Sequence, residues 1–174
     1  MNISRLLDVN LIKLRMETRL DEDDDGESEE EEPAEKTQRQ KRDDKERILE
    51  ELVGVLARSA HIGNRNKLLI DLVNRERKAT TAIGHGIAIP HVRTMQAKEL
   101  ILAVAIAPEG YDFGAPDGEP VRLFFAMAAP PYDDSLYLRV FKALAEVLQF
   151  DYFRERLIAA EQEYDIIRAF QEME

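Results

Sequence analysis

Two neighbouring stretches of this chain hold residues able to do chemistry together. Arg75-Glu76 comes first, and Ala79-Thr80-Thr81-Ala82-Ile83-Gly84-His85-Gly86-Ile87-Ala88-Ile89-Pro90-His91 follows after a short spacer. Imidazole is a nucleophile and a base near neutral pH. Pro90 removes a backbone donor and restricts the chain entering His91. The apolar residues before it would anchor the position in a sheet, while Arg93 and Thr94 return the chain to solvent. One aimed imidazole beside a guanidinium suits the handling of a phosphoryl group. Spacing alone leaves a purely structural role for His91 equally open.

Other chemistries lack their accompanying residues. His85 and His91 are an even number of positions apart, so a strand could show both on one face. A metal site needs further ligands, and no His-Glu-x-x-His or comparable cluster is present. Gly84-His85-Gly86 has neither the glycine spacing nor the Lys-Ser/Thr of a nucleotide loop. His85 reads as a turn residue or a support of the site. His61 reads as a cation closing a helix C-terminus. Asp112, Asp117 and Glu119 lie among glycines and prolines and read as turn formers.

The elements that must position these residues follow from hydrophobic periodicity. Val9 to Met16 reads as a first strand. Ile48, Leu52, Val55 and Leu56 share one helical face, and a second helix carries Leu68, Leu69, Leu72 and Val73 to about Arg77. Gly86 to Pro90, Glu99 to Ala107 and Val121 to Ala128 read as strands; the last two are continuously apolar, as in strands covered on both faces. Pro108 to Pro120 reads as a loop. Helices are expected over Asp134–Phe150, Tyr152–Ala160 and Glu163–Glu172. This order implies an α/β fold with helices packed on a mixed sheet, not strict alternation.

Composition narrows the classes. The 174 residues suffice for one domain with a sizeable core. The net charge of −11 is concentrated in Asp21 to Glu32, which holds ten carboxylates; the remainder has 25 acidic residues against 24 basic. No basic face points to nucleic acid. Residues 21–44 read as an acidic low-complexity insert that is disordered, with a solvated extension of the following helix as the alternative. There is no cysteine, so a disulfide framework, a thiolate metal site and a cysteine nucleophile are excluded. The N-terminus lacks the apolar core of a signal peptide, and no apolar run approaches the ~20 residues of a membrane span. A soluble cytoplasmic protein is the default expectation.

The Arg75-Glu76 pair and the run from Ala79 to His91 resemble the signature of the enzyme IIA domain, type 2, of the phosphoenolpyruvate-dependent phosphotransferase system. This is the fructose/mannitol and nitrogen-regulatory family, with the pattern Arg-Glu, a spacer, then Ser-Thr-Gly-Ile-Gly-Asn-Gly-Ile-Ala-Ile-Pro-His. The resemblance extends over nearly the whole chain, including Glu99–Pro108 and Ala128-Ala129-Pro130. It implies a single domain over residues 1–174, a three-layer α/β/α sandwich around a mixed sheet, and no cofactor or metal.

By the same resemblance, His91 is the phosphorylated histidine and Arg75 its charge partner. Thr80, Thr81, Gly84, His85 and Gly86 stand as supporting residues. The donor implied is the histidine-containing phosphocarrier protein; the acceptor is a separate enzyme IIB or a regulated protein. Three departures stand out. Tyr137 occupies the place of a second family histidine, His85 replaces a common Asn and adds a group able to titrate near pH 6–7, and the acidic insert is not a usual family part. A binding module that kept the fold but lost phosphotransfer is the alternative.

Overall fold

The computed structural model describes residues 1–20 and 35–174. Helix α1 (Gln38–Leu56) starts at a capping box. Thr37 Oγ1 accepts from the Gln40 amide at 3.2 Å. The Gln40 side chain accepts in turn from the Thr37 amide at 2.8 Å. Lys36 adds an ion pair to Asp44 at 2.7 Å. The helix therefore runs through residues 38–44, which correct the expectation of a disordered insert reaching residue 44. Mixed-sign, helix-favouring residues and a proper cap outweigh low complexity there. The rest of that expectation, residues 21–34, lies outside the described residues.

Helix α2 (Arg65–Lys78) begins at Asn64, whose side chain accepts from the Lys67 amide at 2.9 Å. The strands are β1 (Ile12–Lys13), β2 (Ala82–Gly84), β3 (Ile87–Ala88), β4 (His91–Arg93), β5 (Ile101–Tyr111) and β6 (Val121–Ala129). Helices α3 (Asp134–Leu148), α4 (Asp151–Ile158) and α5 (Glu163–Met173) close the chain. The sheet order is β1-β5-β6-β3-β2, with β4 also on β6. β5 and β6 are antiparallel, as are β2 and β3; β1 on β5 and both β3 and β4 on β6 are parallel.

Side-chain alternation along β5 and β6 assigns the layers. Ala103, Ala105, Phe124 and Ala126 pack toward α1 and α2. Leu102, Val104, Ile106, Leu123, Phe125 and Met127 pack toward α3, α4 and α5. Both faces are covered, which is why these two segments are continuously apolar. Each fully buried phenylalanine, such as Phe124 and Phe125, contributes about 2–3 kcal/mol by burial. Among the described residues the result is an α/β/α sandwich around a six-stranded mixed sheet.

Several boundaries differ from expectation. The first strand shrinks to Ile12–Lys13, after a 3₁₀ turn at Val9–Leu11. β5 continues through Pro108 to Tyr111, into the expected loop, because the ladder to β6 shifts register between Ile106 and Tyr111. Gly110 has a left-handed backbone, with φ at +80°, and makes that bulge possible. A Cβ at Gly110 would lie 2.6 Å from Pro120 Cβ. β2, three residues long, has no counterpart among the expected strands. His61 lies beyond the end of α1, with Nε2 3.3 Å from Glu99 Oε1, so it does not close that helix.

Candidate functional site

His91 opens β4, whose ladder to β6 pairs His91 with Met127 and Arg93 with Ala129. Alternation buries Val92 toward α1 and α2, which turns His91 toward α3. There the imidazole meets two rings one helical turn apart. Its centroid is 5.4 Å from that of Tyr137. The Phe141 centroid is 5.6 Å away, with that ring edge-on. Helix α3 starts just after β6, with Asp133 Oδ1 accepting from the Leu136 amide at 3.3 Å.

The two ring nitrogens have different partners. Nδ1 lies 2.5 Å from the Ile89 carbonyl oxygen. A carbonyl only accepts, so Nδ1 carries the proton and donates. Nε2 is left as the free base, with Arg75 Nη2 3.4 Å away as donor. Arg75 projects from the last turn of α2, and its Nη1 donates to the Ala79 carbonyl at 3.1 Å. One guanidinium is thus tethered at one end and turned to the imidazole at the other.

The His91 pKa is lowered from the ordinary imidazole value. Burial is the largest cause and Arg75 adds to it; the Ile89 hydrogen bond and the charge of Glu76 oppose it. The ring is therefore held neutral and nucleophilic at neutral pH. The Tyr137 hydroxyl is shifted up by burial, against the field of Arg75 and Arg93, so it remains a phenol with a proton to donate. Arg93, two residues past His91 on the strand, forms an ion pair with Asp134 at the start of α3.

The remaining predicted site residues are placed differently. Thr81 Oγ1 donates to Glu76 Oε2 at 2.6 Å, and the Thr81 amide donates to Glu76 Oε1 at 2.9 Å. Thr80 Oγ1 donates to the Phe113 carbonyl at 3.2 Å and accepts from the Ala82 amide at 3.2 Å. Both threonines brace the segment leading to the strand; their hydroxyls are engaged away from the imidazole.

Gly84, His85 and Gly86 form the turn between β2 and β3, at φ +92°, +56° and +75°. β3 and β4 both pair with β6, at Leu123 and Met127 respectively. Four residues of strand put the turn about 13 Å from His91. Its hydrogen bonds go to Asp117, whose Oδ2 accepts from the His85 amide at 2.8 Å, and to the amides of Arg122 and Leu123. Gly84, His85 and Gly86, expected as supporting residues, thus stand apart from the imidazole. His85 stands in a left-handed conformation that Asn tolerates best among residues with a side chain.

Phe141, the Ile89 carbonyl and Lys45 are not singled out by sequence reasoning. Phe141 carries a usable signal, lying four residues after Tyr137 on one helix face. A backbone carbonyl and a lysine from the other layer leave no local pattern.

Against known proteins, a family model described as "Phosphoenolpyruvate-dependent sugar phosphotransferase system, EIIA 2" matches residues 33–173. A fructose-specific EIIA component of Haloferax volcanii is 34% identical over 117 residues, 67% of this chain and 76% of that protein. A nitrogen regulatory protein of Pseudomonas aeruginosa is 34% identical over 116 residues, 67% of this chain and 75% of its own length. A fructose-specific EIIABC component of Bacillus subtilis is 29% identical over 96% of this chain, which spans only 22% of that longer protein.

Among solved structures, nitrogen regulatory protein IIA-Ntr of Neisseria meningitidis superposes with a TM-score of 0.76 at 25% identity, covering 97% of this chain and 98% of that one. The mannitol enzyme IIA of Escherichia coli, in complex with phosphorylated enzyme IIB, shares the fold. Its TM-score is 0.70 at 17% identity, over 95% of this chain and 97% of that one.

Proposed function

The chain belongs to the EIIA type-2 family of the phosphoenolpyruvate-dependent sugar phosphotransferase system, and on that premise we propose that it is a phosphocarrier that accepts a phosphoryl group on His91 Nε2. The observation that carries this reading is the division of the imidazole. Nδ1–H is committed to the Ile89 carbonyl at 2.5 Å, which leaves the Nε2 lone pair facing Arg75.

The donor is the histidine-containing phosphocarrier protein. Nε2 attacks phosphorus in line as the donor's N–P bond breaks, and that electron pair returns to the donor imidazole. As the new N–P bond forms, positive charge spreads to Nδ1–H, where the Ile89 carbonyl stabilises it. Arg75 swings from nitrogen to the phosphoryl oxygens, which its planar donors can pair bidentately. Tyr137 offers a neutral hydroxyl donor in place of a cation. The protein thus supplies position and charge, the main demands of phosphoryl transfer.

The acceptor is a separate enzyme IIB, whose cysteine takes the group toward sugar uptake, or a protein regulated by the phosphorylation state, as suits a relative of nitrogen regulatory proteins. Either role places the chain among cytoplasmic partners.

Incubation with phosphoenolpyruvate, enzyme I and the phosphocarrier protein tests the reading. The expected product is an acid-labile, base-stable adduct, absent in His91→Ala, with the phosphorus resonance of an Nε2-linked histidine. No adduct with cognate partners refutes it and leaves a binding module that kept the fold.

A further inference from the structure

Glu76 is a carboxylate at 6% exposure, buried within the layer opposite the imidazole's aromatic neighbours. Such a group is costly unless every oxygen is paired. Three donors meet it: the Thr81 amide at 2.9 Å, Thr81 Oγ1 at 2.6 Å and Lys45 Nζ at 2.8 Å. Lys45 comes from about two turns into α1, where its ammonium also lies 4.5 Å over the Phe113 ring and 3.5 Å from Thr80 Oγ1. The pairing therefore ties α1, α2 and the segment before β2 at one point.

Beyond Thr81 the connection continues through the backbone. The Thr81 carbonyl accepts from the Ile89 amide at 3.0 Å. Ile89 then presents its own carbonyl to His91 Nδ1–H. An unbroken series of hydrogen bonds runs from Lys45 through Glu76, Thr81 and Ile89 to the imidazole. Ile89 lies outside the β3 and β4 ladders, its side chain buried in the core and the Pro90 carbonyl beside it held by the Met127 amide at 2.8 Å, so the Thr81 bond is the one that engages its own backbone amide.

We propose that Glu76, held by Lys45, is a positioning residue for His91: through Thr81 it fixes Ile89, and so selects the tautomer whose Nε2 is free to take a phosphoryl group. This rests on the phosphocarrier reading for its consequence only; the tautomer itself is observable without any phosphate. Glu76 touches neither the imidazole nor the incoming group. Its charge reaches His91 as well, in the direction that raises the imidazole pKa.

The test is nitrogen-15 NMR of the His91 ring at a pH where it is fully neutral, beside the initial rate of phosphoryl acceptance. The wild type should show a pyrrole-like Nδ1 and a pyridine-like Nε2. Glu76→Met, close in volume but without acceptors, should shift both nitrogens toward a mixture of tautomers and slow acceptance about 10-fold or more. Glu76→Gln, which keeps one acceptor oxygen for the Thr81 amide and can donate from its NH2 to Thr81 Oγ1, should restore most of the wild-type pattern. Thermal unfolding establishes that each variant is folded.

A folded Glu76→Met with unchanged ring nitrogens overturns the proposal, whatever its rate. Should that variant not fold, Lys45→Met decides by the same signal, since Lys45 lies at the surface end of the series: a shift toward the mixture supports the proposal and no shift overturns it. If the wild type takes no phosphoryl group while the tautomer still shifts, the positioning stands and the phosphocarrier reading falls.

Discussion

Replacing Arg75 by Met keeps an unbranched stem and removes the guanidinium. In the present geometry Nη2 lies 3.4 Å from Nε2, the atom to which phosphorus would attach. Unit charges at that separation interact by about 5 kcal/mol at an effective dielectric of ~20 and about 1 kcal/mol at that of water. Arg75 is half-buried, so an intermediate value of ~3 kcal/mol applies. At about 1.4 kcal/mol per factor of ten, acceptance should fall about 10²-fold, the range found when one preorganised donor is lost.

The same substitution removes a charge that lowers the His91 pKa, so that pKa should rise. Rates are therefore best compared above pH 8, where both proteins have a neutral ring and protonation does not mimic lost transition-state binding. The assay is single-turnover transfer from purified phosphorylated phosphocarrier protein, with His91 followed by NMR in parallel. A rate within threefold of wild type, with His91 still neutral, would refute the assignment of Arg75 as charge partner.

Three further outcomes follow from the site. Tyr137→Phe keeps the ring 5.4 Å from His91 but loses the hydroxyl. Transfer should slow about 2–10-fold, the worth of one hydrogen bond, with no change in melting temperature, whereas Tyr137→Ala should raise the His91 pKa by exposing it. Because the folded His91 pKa lies below its unfolded value, this group's contribution to stability is fully present above pH 6.5 and is lost as pH falls through the lowered pKa; denaturant titration of the wild type and His91→Gln should diverge over that acid window and run parallel above it. His85→Asn should leave both transfer and its pH profile unchanged and the melting temperature equal or slightly higher, as expected for Asn in a left-handed turn; a shifted profile would place His85 back in the site.

Much of the architecture was legible because it is written in local periodicity. The helical stripes of α1 and α2 and the two continuously apolar strands required helices on both sides of a sheet. Legibility failed where local signals were weak or opposed. β2 and β4, three residues each, are too short to show a period. The charged opening of α1 resembles disorder until Thr37 and Gln40 are seen capping each other. In β5, Pro108 and Gly110 announce a loop, yet a bulge carries the strand past them.

The sequence by itself pointed to the pair proposed here, through its likeness to a family pattern. His91 behind Pro90, with Arg75 sixteen residues before it, sits in a pattern specific enough to single out both residues and their family. It could not say which of the neighbouring motif residues reach the imidazole, because a strand carries residues a few positions apart to opposite faces and opposite ends of a sheet. The tertiary structure alone decided that the glycine turn lies about 13 Å from His91, that Thr81 serves Glu76, and that Ile89 holds Nδ1. Those assignments depend on the pairing of β3 and β4 with β6 and on side chains arriving from α1, α2 and α3, contacts between residues far apart in the chain that leave no mark in its local pattern.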